Sequence, residues 1–152
     1  MNQIRTLKTF HNPLVDEKFH QLNLGNIGHV LYWKIFFEIT KDLPGDIVEC
    51  GVGRGRSLLI ISALNNILEK HEGGGRKIFA YDSFEGFPEP SLQDEFFRDI
   101  KKGDWSYSPS GKYKYSPEFI LQILKFSEIS TRNLTITRDF LKKLFQTIQK
   151  IL

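Results

Sequence analysis

Residues 46 to 57 read DIVECGVGRGRS, and residues 77 to 88 read KIFAYDSFEGFP. The first block predicts a strand, Ile47 to Cys50, running into a glycine-rich turn and then a helix. The second predicts a strand, Lys77 to Tyr81, that delivers the carboxylate of Asp82 at its end. A turn without side chains lets a ligand approach the backbone, and a carboxylate on the next strand grips a ribose diol. Together they point to a nucleoside-containing cofactor. The glycines run Gly51, Gly53, Gly55, so the third arrives one residue early for G-x-G-x-x-G, and Arg56 stands in its place. That spacing argues against a nicotinamide- or flavin-binding Rossmann enzyme, which stays the weaker alternative.

The rest of the chain supplies further elements in alternation. Apolar positions Val30, Leu31, Trp33, Phe36, Phe37 and Ile39 form a stripe opposite Lys34, Glu38 and Lys41, predicting an amphipathic helix from about Gly28 to Lys41. Leu43-Pro44-Gly45 ends it. A helix from Arg56 or Ser57 to His71 is expected to bury Ile60, Leu64, Ile67 and Leu68, with Gly73-Gly74-Gly75 closing it. Ser116 caps a helix with Pro117 in first position and Phe119, Ile120, Ile123 and Leu124 inward. Leu134 to Thr137 reads as a third strand and Phe140 to Gln149 as a last helix. Strands alternating with helices predict a parallel α/β sheet. The expected organisation is a single domain over 1–152: a helical segment at 1–42, then a cofactor-binding unit from 43 onward.

Composition narrows the partners. A net charge of +3 creates no field that demands nucleic acid or an anionic membrane. No stretch has the apolar length of a membrane span or signal peptide, so the cytoplasm is the expected location. One cysteine, Cys50, is expected to be a buried strand residue without chemistry. His11, His20, His29 and His71 lack metal-ligand spacing, and Asp94, Glu95, Asp99 and Asp104 read as a solvated face. Glu85 and Glu89 read as solvated as well. Residues 83 to 115 look like a long loop, whose KKGDWSYSPSGKYKY tail is read as a lid over an acceptor pocket, a plain surface loop or, least favoured, a single-strand nucleic-acid contact.

Around the turn, three residues carry chemistry. Glu49 sits at the end of a strand expected to be buried, where a carboxylate is costly without a partner; a cationic amino group on the ligand would be one. Ser83 offers a hydroxyl after Asp82, and Phe84 an aromatic face for an adenine edge, before the bend at Gly86.

VECGVGRGRS followed by AYDSFEGFPEP resembles the macrocin O-methyltransferase-like family, over about residues 43 to 90. The resemblance implies a Rossmann-like class I methyltransferase fold and an S-adenosylmethionine- and metal-dependent O-methyltransferase acting on a hydroxyl of a sugar or natural product. It implies that Glu49, Gly51, Val52, Gly53 and Ser57 line the methionine end of the cofactor, with Gly55 completing the turn. Asp82 and Ser83 would hold the ribose; after the third strand TRDFLKKL departs from the family's pattern, leaving Asp139 as the candidate contact for the adenine amine. The family's Mg²⁺ ligands and general base lie on and after a fourth strand, and no replacement set is visible before Leu152. The expectation is therefore a partial fold, the strand 3-2-1 half of a doubly wound sheet, as an N-terminal fragment with its catalytic residues beyond 152. The other class of reading is a non-catalytic binding or assembly module, completed by a second chain or another copy along the first strand.

Overall fold

Parallel pairing settles which side of each strand meets the helices. In the computed structural model, residues 24–72, 75–91 and 100–138 are described. They form α1 (Leu24–Thr40), β1 (Ile47–Cys50), α2 (Arg56–Glu72), β2 (Ile78–Asp82), α3 (Pro117–Phe126) and β3 (Leu134–Arg138). The sheet has the order β1-β2-β3 with both pairs parallel, which is the 3-2-1 arrangement the sequence predicts. Register aligns Ile47 with Ile78 and Leu134, and Glu49 with Ala80 and Ile136. Paired residues in neighbouring strands point to one face, so these rows share a side.

That side carries the core. Ile78 and Ala80 pack in one cluster with Leu58 and Ile61 of α2 and Phe119, Ile120, Ile123 and Leu124 of α3. Ile47, Leu134 and Ile136 border it. The α3 face is the one read from the sequence, and its N-cap is as expected: Ser116 accepts a bond from the Phe119 N–H at 3.1 Å, with Pro117 beginning the helix. Fully burying such aliphatic side chains stabilises by about 1.5–3 kcal/mol each.

The opposite face differs. Val48 is 60% exposed and Cys50 is exposed, which corrects the expectation of a buried Cys50. The cause is parity: Cys50 pairs with Tyr81 in the row that faces away from α2 and α3. The α2 face is corrected too. Leu58, Ile61, Ser62 and Asn65 are the buried positions, while Ile67 is 53% exposed and Ile60, Leu64 and Leu68 are only partly covered. The stripe at i, i+3, i+4, i+7 is half polar, so hydrophobicity alone points to the wrong side. Asn65 fits there because its amide donates to the Arg76 carbonyl at 2.8 Å and accepts from the Arg76 N–H at 2.9 Å. Both bonds tie α2 to the approach of β2.

Helix α1 is present as expected, beginning earlier at Leu24, and none of its residues is buried. Trp33 and Phe37 touch the core, but Leu24, Leu31, Ile35 and Ile39 remain exposed. Its C-terminal end is held by Arg76, which donates to the carbonyls of Thr40 and Leu43. The last helix expected from the sequence, Phe140 to Gln149, lies outside the described residues, as do Asp139, Asp94, Glu95 and Asp99.

Candidate functional site

The site begins where β1 stops. Gly51, Gly53 and Gly55 have φ of 92°, 52° and 79°, backbone that L side chains disfavour and glycine adopts freely. The Gly51 N–H still continues the ladder, donating to the Tyr81 carbonyl at 2.8 Å, and the Gly55 N–H closes a turn onto the Val52 carbonyl at 2.8 Å. A Cβ built on Gly51 or Gly53 meets nothing within 4 Å. Open space therefore lies above the first two glycines. Gly55 is different: a Cβ there falls 2.4 Å from Cδ1 of Ile120. Its lack of a side chain serves the packing of α3 against the turn.

Asp82 binds the two halves of the site together. One carboxylate oxygen accepts from the Gly53 N–H at 2.7 Å and the other from the Phe84 N–H at 2.6 Å. The carboxylate thus holds the glycine turn against the exit of β2, and each oxygen keeps lone pairs for a ligand hydroxyl. Phe84 takes a φ of 55° while its ring is buried. A bulky residue in that region stores strain of about 1–3 kcal/mol, a cost found at sites where the surroundings over-determine the backbone. The Ser83 hydroxyl accepts from the Glu85 N–H at 3.2 Å. Glu85 and Glu89 are exposed, as expected.

Beneath the turn lies Glu49. Sheet register puts its side chain on the core face, and Ser57, in the first turn of α2, donates to its Oε1. Its Oε2 is buried without a partner. Burial pushes the carboxyl up from its ordinary 4.5 to about 7; the Ser57 hydrogen bond opposes this, and the nearby charge of Asp82 adds to it. A buried, half-satisfied carboxylate is a vacancy for a cationic group.

These elements wall a cleft of about 900 Å³. Of the residues expected to bind a cofactor, Gly51, Val52, Gly53, Asp82, Ser83 and Phe84 line it. Glu49, Gly55 and Ser57 do not, and sit under the floor instead. Arg54, Phe87, Trp105 and Tyr115 also line it and were not read as site residues. The basic, aromatic segment supplies Trp105, which is exposed where it lines the cleft, and Tyr115, which is buried in the core cluster. Residues 86–88 are clamped to 103–104: the Gly103 N–H donates to the Phe87 carbonyl at 2.9 Å and the Phe87 N–H to the Asp104 carbonyl at 3.1 Å.

Among the described residues, no three His, Cys, Asp or Glu side chains gather into a ligand cluster, and Asp104 is engaged with the Lys101 N–H at 2.9 Å. No helix of the described residues is long and apolar enough to cross a membrane.

Comparison with known proteins places the chain by fold and by family. A solved calicheamicin methyltransferase, CalS11, is similar over 78% of this chain and 46% of its own, with a TM-score of 0.62 and 23% identity, a likeness of fold. A Streptomyces olivaceus protein, 8-demethyl-8-(2,3-dimethoxy-alpha-L-rhamnosyl)-tetracenomycin-C 4'-O-methyltransferase, is 45% identical over 51 residues, 34% of this chain and 18% of that protein. The chain thus covers less than half the length of either. The family model of the macrocin-O-methyltransferases (TylF) matches residues 34–109, half of the chain, including the glycine turn, Asp82 and Trp105. The chain belongs to the macrocin-O-methyltransferase family.

Proposed function

We propose that this chain forms the methyl-donor site of an S-adenosylmethionine-dependent O-methyltransferase whose acceptor is a hydroxyl on a glycosylated natural product. The observation that carries the reading is the Asp82 carboxylate bridging Gly53 and Phe84 beside open space over Gly51 and Gly53. S-adenosylmethionine supplies an electrophilic methyl group on a sulfonium centre. In this reading the bare backbone of Gly51 and Gly53 admits the cofactor and Asp82 with Ser83 takes its ribose hydroxyls. Glu49, buried under the turn, sets its carboxyl beneath the cationic amino-acid end, and Phe84 lies against the base. The acceptor class rests on family membership and on the named relatives, which act on a rhamnosyl tetracenomycin and on calicheamicin. Among the described residues no ligand set for Mg²⁺ gathers.

The test is calorimetry with S-adenosylhomocysteine. Asp82→Ala removes both backbone bonds and the ribose acceptor, and is expected to weaken binding at least about tenfold, as loss of a charge-assisted pair commonly does. Unchanged affinity would sink the assignment, and preferential binding of NAD would favour the nicotinamide alternative. A second reading, a binding or assembly module completed along β1 by another chain, draws on the exposure of Val48 and Cys50. A cofactor-independent complex in sedimentation, with no S-adenosylhomocysteine bound, would favour it.

A further inference from the structure

The cleft has a rim that the methyl-donor site does not use. Trp105 stands on it 59% exposed. An indole is among the most costly side chains to leave in water, so this exposure needs a cause. Its backbone adds a second oddity: φ is 69°, a region where a bulky residue is a true outlier.

The surroundings hold it there. The Ser106 N–H and hydroxyl both donate to the Gly103 carbonyl, at 3.2 and 2.5 Å. The paired bonds between Phe87 and residues 103–104 fix the other side. Gly86 makes that clamp possible, because a Cβ there would sit 2.3 Å from the Asp104 carbonyl oxygen. Phe87 meets the indole edge-to-face with ring centroids 5.3 Å apart, and the Arg54 guanidinium stands 5.9 Å from the ring. Arg54 belongs to the glycine turn, so the indole stands beside that turn and lines the same cleft as the backbone that admits the donor. The ring is thus held rigid and wet, and a held apolar surface binds a partner with little further loss of side-chain freedom.

We propose that Trp105 is the specificity-determining contact for the acceptor, its indole a platform on which the apolar face of the acceptor's sugar ring stacks, with Phe87 and Arg54 as the positioning residues that prop it. This deepens the reading above and rests on it. A sugar ring suits the place: its C–H face is apolar enough for the indole, while its hydroxyls stay beside Arg54 and the open cleft. Trp105 then sets acceptor affinity without holding the methyl donor.

The experiment uses the 152-residue chain, S-adenosylhomocysteine and methyl α-L-rhamnopyranoside. The left-handed backbone at 105 makes Trp105→Gly the informative variant, since glycine relieves the strain. Its Tm is expected to equal or exceed the parent's, its affinity for S-adenosylhomocysteine to stay within about twofold, and its saturation-transfer NMR signal from the glycoside to fall roughly tenfold. In a Trp33→Phe background, which leaves Trp105 as the one indole, the glycoside should shift emission to the blue. Emission unmoved by the glycoside, or equal glycoside signals in parent and variant, would overturn the proposal. A lowered Tm would mean a structural indole, and lost S-adenosylhomocysteine binding would assign it to the donor site; either overturns it as well. Failure of the parent chain to bind S-adenosylhomocysteine would instead strike the methyl-donor reading.

Discussion

The turn between β1 and α2 and the helix α1 both carry sequence patterns of buried structure, and they end in opposite states. Around the turn every glycine has a definable task. Gly51 and Gly53 leave space over the backbone, Gly55 admits Ile120, and Asp82 holds the whole against β2. Helix α1 has a broad apolar stripe, yet Leu24 is 87% and Ile39 is 70% exposed. Its attachment comes from Trp33 and Phe37 at the core edge and from Arg76 at its C-terminal end. The remaining stripe is only partly covered by the described residues, Val30 being 41% and Leu31 55% exposed. The contrast teaches that an apolar pattern states a need for cover, whereas a tight turn specifies its own neighbours, because the atoms that would clash lie within the same unit.

That contrast has a sharp test in glycine substitutions. Gly86→Ala would push a methyl group into the Asp104 carbonyl and the Gly103 backbone. The backbone has no rotamer to yield, and φ is 77°, so a loss of about 2–4 kcal/mol in urea unfolding is expected. Gly55→Ala meets only the far end of the Ile120 side chain, and about 1–2 kcal/mol is expected. Equal costs would mean that Ile120 is as immovable as the main chain.

Glu49 sharpens the comparison at the floor of the site. With its pKa raised to about 7, the folded protein holds a proton that the unfolded chain releases, so stability falls as pH rises from 4.5 to about 7 and then levels. Glu49→Gln removes that loss. The variant should match the parent near pH 4.5 and exceed it above pH 7, by up to about 3 kcal/mol, in melts across pH. Binding should move the other way, with weaker S-adenosylhomocysteine affinity at pH 8, since an amide brings no charge to the ligand's amino group. A variant both less stable and unchanged in binding would count against a part for Glu49 in holding the ligand.

The smallest expected effect lies on α1. Ile39→Lys and Leu31→Lys should change stability by no more than about 0.5 kcal/mol, as exposed substitutions do. A loss of several times that would show that another part of the chain, or another molecule, lies on the stripe.

Much of this was legible in the sequence, for reasons of range. The strand–glycine–helix signal, the Ser116-Pro117 cap and the acidic end of β2 depend on residues a few positions apart, and the elements they predict are present to within a residue or a few. The inward face of α3 was readable because its buried positions are all apolar. The inward face of α2 was not, because Ser62 and Asn65 occupy half of it and the hydrogen bonds that make Asn65 acceptable come from Arg76, eleven residues away in sequence. The KKGDWSYSPSGKYKY segment suggested a lid by its position, but nothing local to it marked Trp105 as the residue at the rim.

The sequence by itself determined that a glycine turn and a carboxylate would face each other, and the company of Glu49 and DSFEGFP singled out the family. Tertiary structure decided which of those residues look into the cleft and which support it from below. Strand register is the physical reason. A shift of one position would exchange the faces of Glu49 and Cys50, and the pairing of β1 with β2 is what puts the carboxylate inside, half-satisfied, and the thiol outside.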